Sequence, residues 1–143
     1  MSKILVLNGA NLNLLGKREP SIYGFETLGD LEASLRKEFP TQEFGFHQTN
    51  SEDELIGFLH QAFEQKLPVV LNPGAFTHYS YALRDACAAL TSAGGKLIEV
   101  HISNPHTREE FRHTSVISAV ATGVIAGFGL NSYRLAVSAL TRN

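Results

Sequence analysis

Pro68-Val69-Val70-Leu71-Asn72-Pro73-Gly74 is the segment on which the fold turns. A short apolar run bounded by prolines shows no helical period, so Pro68 to Asn72 reads as a strand buried on both faces. Pro73-Gly74 ends it, and a polar loop follows through His78. Upstream, Ser51 and Glu54 form a capping box. It opens a helix carrying Leu55, Phe58, Leu59, Ala62 and Phe63. Before that, Phe44 and Phe46 alternate with Gly45 and His47, predicting a half-exposed or edge strand to about Gln48. Thr27 starts a helix with Leu28, Leu31, Leu35 and Phe39 on one face, and Pro40 stops it. Lys3 to Asn8, built on Ile4-Leu5-Val6-Leu7, is another buried strand. Downstream lie a helix from about Ser80 to Ala93, a strand Leu97 to His101, and a short helical turn Thr107 to Phe111. A strand Gly123 to Ala126 and a helix Leu130 to Leu140 close the chain.

Strands alternating with helices imply right-handed crossovers and a parallel sheet covered on both faces. The expectation is an α/β chain, a flavodoxin-like three-layer sandwich with a five-stranded parallel sheet. In such sheets ligands bind beyond the carboxyl ends of the strands, near the switch point of the strand order. The strand ends carry Asn8, Asn72 and His101. The loops after them carry Asn11, Arg18, Tyr23, His78, Ser103, Arg108 and Arg112. Gly9 to Gly24 is a long irregular stretch, and such loops in compact domains are usually functional.

The chain has 143 residues, which suits one domain spanning 1–143 and excludes a (β/α)₈ barrel of about 250 residues. A formal charge of −2 argues against a nucleic-acid binder. Charged residues make up 18%. That is below an average of about 25%, which reads either as surface covered by copies of the same chain or as the scatter of a short sequence. Cys87 is the only cysteine, so neither an internal disulfide nor a cysteine zinc site is available. The apolar run Ile4 to Leu7 is far too short for a signal-peptide core or a membrane span, and a cytoplasmic setting is expected.

Neither a G-x-x-x-x-G-K-[ST] nor a G-x-G-x-x-G follows the first strand, which removes the usual phosphate cradles. Asn8 stands where a phosphorylated receiver domain would want a carboxylate. The spacing of His101, His106 and His113 does not bring them together as metal ligands. Lys3, Lys37, Lys66 and Lys96 lie at the wrong end or on helices, and only Lys17 is near the cleft, so no lysine is well placed for a Schiff base.

Tyr23 sits between Pro20 and Gly24 in a polar loop, a poor place for core packing. It reads either as a surface tyrosine or as a phenolate base. A phenol has a pKa of about 10, so the second reading requires cations, with Arg18 and Arg108 as the candidates. His101 and Glu99 are two apart on a strand and share a face. Glu99 can hold the imidazole and favour its protonated form, which suits a general acid, or it can be an incidental neighbour. Asn72 and His78 flank Gly74 and could donate to substrate oxygens, or simply make the turn. Ile102 and Ser103 offer backbone N–H groups to a carboxylate. Arg108 and Arg112, four apart on the short helix, read either as anion ligands or as a solvated face pairing with Glu109 and Glu110. Cys87 lies among alanines and reads as buried packing. A base, an acid, amide donors and a carboxylate site together suit elimination or isomerisation of a small polyhydroxy acid through an enolate.

The segments Leu7-Asn8-Gly9-Ala10-Asn11-Leu12-Asn13-Leu14-Leu15-Gly16 with Arg18-Glu19-Pro20 and Tyr23-Gly24, Asn72-Pro73-Gly74-Ala75-Phe76-Thr77-His78, Ala82-Leu83-Arg84-Asp85-Ala86, and Glu99-Val100-His101-Ile102-Ser103-Asn104 through Arg108-Glu109-Glu110-Phe111-Arg112 resemble those of type II 3-dehydroquinate dehydratase. The resemblance spans nearly the whole chain with order and spacing intact. It implies a flavodoxin-like fold, a homododecamer of four trimers, and anti elimination of water from 3-dehydroquinate to give 3-dehydroshikimate, in the shikimate route or in quinate breakdown. By that similarity Tyr23 is the base, held as phenolate by Arg18 and Arg108, and Asn11 with a water stabilises the enolate. His101, held by Glu99, protonates the departing hydroxyl. Asn72, Ile102 and Ser103 take the carboxylate end, and His78 and Arg112 take ring hydroxyls. Asp85 reaches a neighbouring subunit's site, and residues of about 16–24 form a lid. No metal or organic cofactor is implied, nor a nucleic-acid or membrane partner. Tyr79, Tyr81, Pro105 and Ala119 depart from the family's pattern, with Tyr79 placed to alter the cleft wall or the trimer contact. Two other readings are a non-catalytic flavodoxin-like module that binds a carboxylate, and an isomerase of a related hydroxy-keto acid. Turnover of 3-dehydroquinate separates both from the first.

Overall fold

The computed structural model describes residues 3–142. Five parallel strands, β1 (Ile4–Asn8), β2 (Phe44–Gln48), β3 (Val69–Asn72), β4 (Leu97–His101) and β5 (Gly123–Ala126), lie in the order β2-β1-β3-β4-β5. Between them run α1 (Pro20–Tyr23), α2 (Leu28–Glu38), α3 (Glu52–Gln65) and α4 (Tyr81–Ser92), and α5 (Asn131–Thr141) follows. This is the flavodoxin-like order.

Period-two alternation along the central strands divides the core in two. Leu5, Leu7, Val69 and Leu71 pack with Leu55, Leu59, Leu83 and Leu90 of α3 and α4. Ile4, Val6, Val70 and Val100 pack with Leu31 and Leu35 of α2 and with Tyr133 and Val137 of α5. Three layers result, and the central strands are covered on both faces, which is why β1 and β3 read as unbroken apolar runs and β4 is broken only by Glu99 before it ends at His101. β2 is an edge strand, as its alternation predicts, and only Phe44 in it is buried.

The helix ends follow local chemistry. Ser51 Oγ accepts from Glu54 N–H at the start of α3. The full reciprocal box stands at Thr27 and Asp30, where each side chain meets the other's backbone N–H. The sequence expectation placed that box at Ser51 only. The turn expected over Thr107 to Phe111 is also different. Two 3₁₀ turns, Pro105–Thr107 and Glu110–His113, flank an extended Arg108, φ −112° and ψ −161°. Arg108 and Arg112 therefore do not share one helical face.

The chain runs from β1 outward to β2 and back past β1 to β3. The carboxyl ends of β1 and β3 thus form the switch point, where connections leave in opposite directions and open a crevice. The two loops there touch backbone to backbone. A Cβ on Gly9 would lie 2.3 Å from Pro73 O, and one on Gly74 (φ +63°) would lie 2.7 Å from Ala10 O.

Candidate active site

A cavity of about 120 Å³ opens over this crevice. Its wall includes Asn11, Arg18, Tyr23, Asn72, His78 and His101. Ile102, Ser103, Arg108 and Arg112 complete its polar side. Ten of the twelve residues singled out from the sequence converge here. Glu99 lies beneath the wall, and Asp85 is elsewhere. A larger cleft of about 780 Å³ lies around Phe63, Leu67 and Leu90 at the amino ends of the strands. Its charged residues are Glu64, Lys66 and Lys96, and none of the chemistry-bearing set lines it.

The stretch after β1 is less irregular than its composition suggests. A 3₁₀ turn, Leu12–Leu14, leads to Gly16, and the single turn α1 ends at Gly24. Asn11 begins this path in the left-handed region (φ 68°), which asparagine tolerates, with its N–H held by Asn50 Oδ1 at 2.8 Å. Gly16 (φ +91°) lies against Phe25, a Cβ there being 2.8 Å from Phe25 O, so the two ends of the excursion nearly meet.

Tyr23, half-buried, projects from α1 into the cavity wall. The guanidinium carbons of Arg18 and Arg108 lie 5.2 and 5.0 Å from its ring centroid. One cation comes from the same loop and the other from beyond β4. Arg108 is further held by Ser103 Oγ at 3.1 Å and faces the Glu19 carboxylate at 3.9 Å. Its Nε is buried and has no hydrogen-bond partner among the described residues. An unmet charged donor at a cavity costs free energy that an anionic ligand can recover.

His101 ends β4 with its Nε2 2.5 Å from Glu99 Oε2, as the shared strand face requires. Glu99 is fully buried, and burial alone would push its carboxyl up. Hydrogen bonding and charge from His101, with hydroxyl bonds from Ser118 (2.7 Å) and Ser115 (3.0 Å), outweigh that and hold it below the usual carboxylate value. A buried anion stays ionised only when its lone pairs are met in this way. With Nε2 committed to Glu99, His101 has Nδ1 left for chemistry.

His78 behaves differently from the expectation that it donates to substrate. Its Nδ1 lies 2.9 Å from Thr114 O, so the ring proton belongs on Nδ1. Burial, against that bond, and then the charges of His101 and Arg112 hold its pKa below 6.5. The neutral ring keeps a lone pair on Nε2 and offers an acceptor. Arg112 pairs with Glu109 at 2.9 Å and still lines the cavity, so the pairing does not take it out of the site.

Asp85 does not reach this cavity. It is exposed on α4 and pairs with Arg84 at 3.0 Å. Of the four residues expected to depart from the family's pattern, only Pro105 lines the cavity, and Tyr79 turns outward with its ring edge against Phe76. Sequence reasoning passed over Ser115, Ser118 and Tyr133. The Ser-x-x-Ser spacing at 115–118 was the available signal for the first two, since residues three apart in a turn present their hydroxyls together. Among the described residues no His, Cys, Asp and Glu cluster is arranged to hold a metal ion. No helix among them is long and apolar enough to cross a membrane.

An α/β sheet in the order β2-β1-β3-β4-β5, with a polar cavity at its switch point, defines a protein of the flavodoxin-like class. The model of the class II dehydroquinase family matches residues 2–141, and the chain belongs to that family. It is 58% identical over 140 residues to a protein of Bacillus licheniformis named 3-dehydroquinate dehydratase, covering 96% of this chain and 94% of that one. Among solved structures it superposes on type II dehydroquinase from Propionibacterium acnes with a TM-score of 0.92 and 49% identity, over 98% of this chain and 96% of the other. The type II dehydroquinase of Butyrivibrio crossotus gives 0.93 and 44%, over 99% and 98%.

Proposed function

We propose that this chain eliminates water from 3-dehydroquinate to give 3-dehydroshikimate, with Tyr23 as base and His101 as acid. The observation that carries the reading is one cavity wall holding both a tyrosine under two guanidinium groups and a histidine on a buried, ionised glutamate. The chain is a hydro-lyase by family, and its curated relatives carry the dehydratase name.

In the elimination, the Tyr23 oxygen takes the proton alpha to the ketone and the C–H electrons pass into an enolate. Arg18 and Arg108 balance the charge that the tyrosine must carry. Asn11 donates to the enolate oxygen, where losing a single aimed donor typically costs about 10²–10³ in rate. Collapse of the enolate expels the hydroxyl on the opposite face, and His101 supplies its proton, so water leaves. Glu99 touches neither substrate nor cavity and acts by holding His101. Asn72 with the Ile102 and Ser103 amides binds the carboxylate. Arg112 donates to one ring hydroxyl, and His78 accepts from another.

The segment 16–24 acts as a lid that carries Arg18 and Tyr23. Asp85, directed outward, serves a neighbouring subunit's site within a trimer, and four trimers make the dodecamer. The whole chain forms one catalytic domain, placed in the cytoplasm and serving the shikimate route. No metal or organic cofactor takes part in these steps.

The test is ultraviolet absorption of the conjugated enone product formed from 3-dehydroquinate, in the presence of EDTA and borohydride. Turnover under both establishes a metal-free, imine-free dehydratase. Absence of turnover from folded protein leaves a carboxylate-binding module or an isomerase of a related acid.

A further inference from the structure

Tyr133 is fully buried under the sheet, on a helix that the chemistry above does not use. Its hydroxyl nevertheless meets the ends of both strands at the switch point. It donates to Asn8 Oδ1 at 2.5 Å and accepts from Asn72 Nδ2 at 2.9 Å. Asn8 and Asn72 are register partners across β1 and β3, and both point to the α5 side of the sheet. Asn72 Oδ1 in turn accepts from Gly74 N–H at 3.1 Å.

These contacts leave the Asn72 amide one orientation. The Gly74 N–H can only donate, so the atom opposite it must be oxygen, and nitrogen must face Tyr133. A reversed amide would set two donors against each other in a buried place. The amide nitrogen has two hydrogens, and Tyr133 takes one. Burial, only partly offset by the bond from Asn72, holds the Tyr133 phenol far above its ordinary range, so its proton is permanent.

We propose that Tyr133 is a positioning residue for substrate binding: by fixing the Asn72 amide together with Gly74, it makes the cavity present an N–H to the substrate's carboxylate. This rests on the assignment of Asn72 to the carboxylate end. Such a contact is made equally in ground and transition states, so its loss raises KM and spares kcat.

Tyr133→Phe removes the hydroxyl and keeps the ring. KM for 3-dehydroquinate rises about tenfold, with kcat within about twofold, the size of one weakened hydrogen bond to an anion. Val137→Ala, a core truncation on the same helix, lowers Tm without moving KM. An unchanged KM in Tyr133→Phe, an equal fall in kcat, or the same KM rise in Val137→Ala at matched Tm would overturn the proposal.

A second measurement needs neither a variant nor turnover. In the intact protein labelled with ¹⁵N-asparagine, quinate shifts one Asn72 Nδ2 proton, and the proton on Tyr133 stays in place. Movement of the Tyr133-bonded proton, or of neither, refutes the assignment. If 3-dehydroquinate is not turned over, the proposed reaction fails, and the quinate titration still decides the role of Tyr133.

Discussion

Glu99 Oε2 and His101 Nε2 lie 2.5 Å apart beneath the cavity wall, and the carboxylate also accepts from two serine hydroxyls. The carboxylate is therefore a fixed anchor, and the imidazole keeps Nδ1 for the proton transfer proposed for it. Glu99→Gln keeps the shape and removes the charge. Steady-state kinetics should show kcat lower by about 10²-fold, toward the lower end of what a positioned acid contributes.

The same substitution has a pH signature in stability. Glu99 is held below its ordinary value of 4.5, so the unfolded chain binds its proton more readily than the folded one. The stability it contributes is complete above that ordinary value and fades as pH falls through the lower folded value. Thermal melts should show the Tm gap between the parent and Glu99→Gln widest near neutral pH and narrowing below about pH 4.

His78 gives the opposite case. Its folded pKa lies below 6.5, so protonation is resisted in the folded state and stability rises with pH across that interval. Protonated, Nε2 no longer accepts from a hydroxyl. NMR titration should place the His78 midpoint below 6.5, and KM should climb as pH falls through that midpoint. In His78→Gln that climb should disappear.

Tyr23 carries the base assignment. Tyr23→Phe keeps the ring beneath both guanidinium groups and should retain quinate affinity, measured by calorimetry, while kcat falls by about 10²–10⁴. Near-normal turnover would exclude the phenolate mechanism. Arg18→Gln should lower kcat with quinate affinity retained, and unchanged kcat would assign the charge balance to Arg108.

Cys87 should be inert. Burial, and then the charge of Glu99, push its thiol up to about 12. Titration with a disulfide reagent should find no reactive thiol in the folded enzyme and one after denaturation, with activity untouched by the first treatment.

These readings were unequally visible in the amino acids. β1 and β3 are plain because strands buried on both faces show as continuous apolar runs, and in β4 the face shared by Glu99 and His101 follows from the two-residue strand period. Arg108 was placed on a helical turn that does not form. Polar residues after Pro105 carry no period, and the backbone at Arg108 extends where its side chain packs against Tyr23 and Ser103. The sequence reads His78 as a donor because the carbonyl that takes its Nδ1 proton lies 36 residues away and leaves no local sign. Nothing local marks Tyr133 on its helix, because its partners stand 61 and 125 residues upstream. Local pattern reveals faces and caps, and it is silent on which distant polar groups meet.

The proposed acid and the proposed base stand on ground of different firmness. His101 closes a central strand, whereas Tyr23 rides an excursion whose two ends come together at Gly16 and Phe25. Lys17 is exposed there and Arg18 is half-exposed, and both are sites for trypsin. A cut at either would fall outside every strand and beyond the layers of the core. The nicked protein would be expected to melt as before, with the proposed base cut loose. Catalysis and architecture are thus separable by one peptide bond, and the sheet would outlive the enzyme.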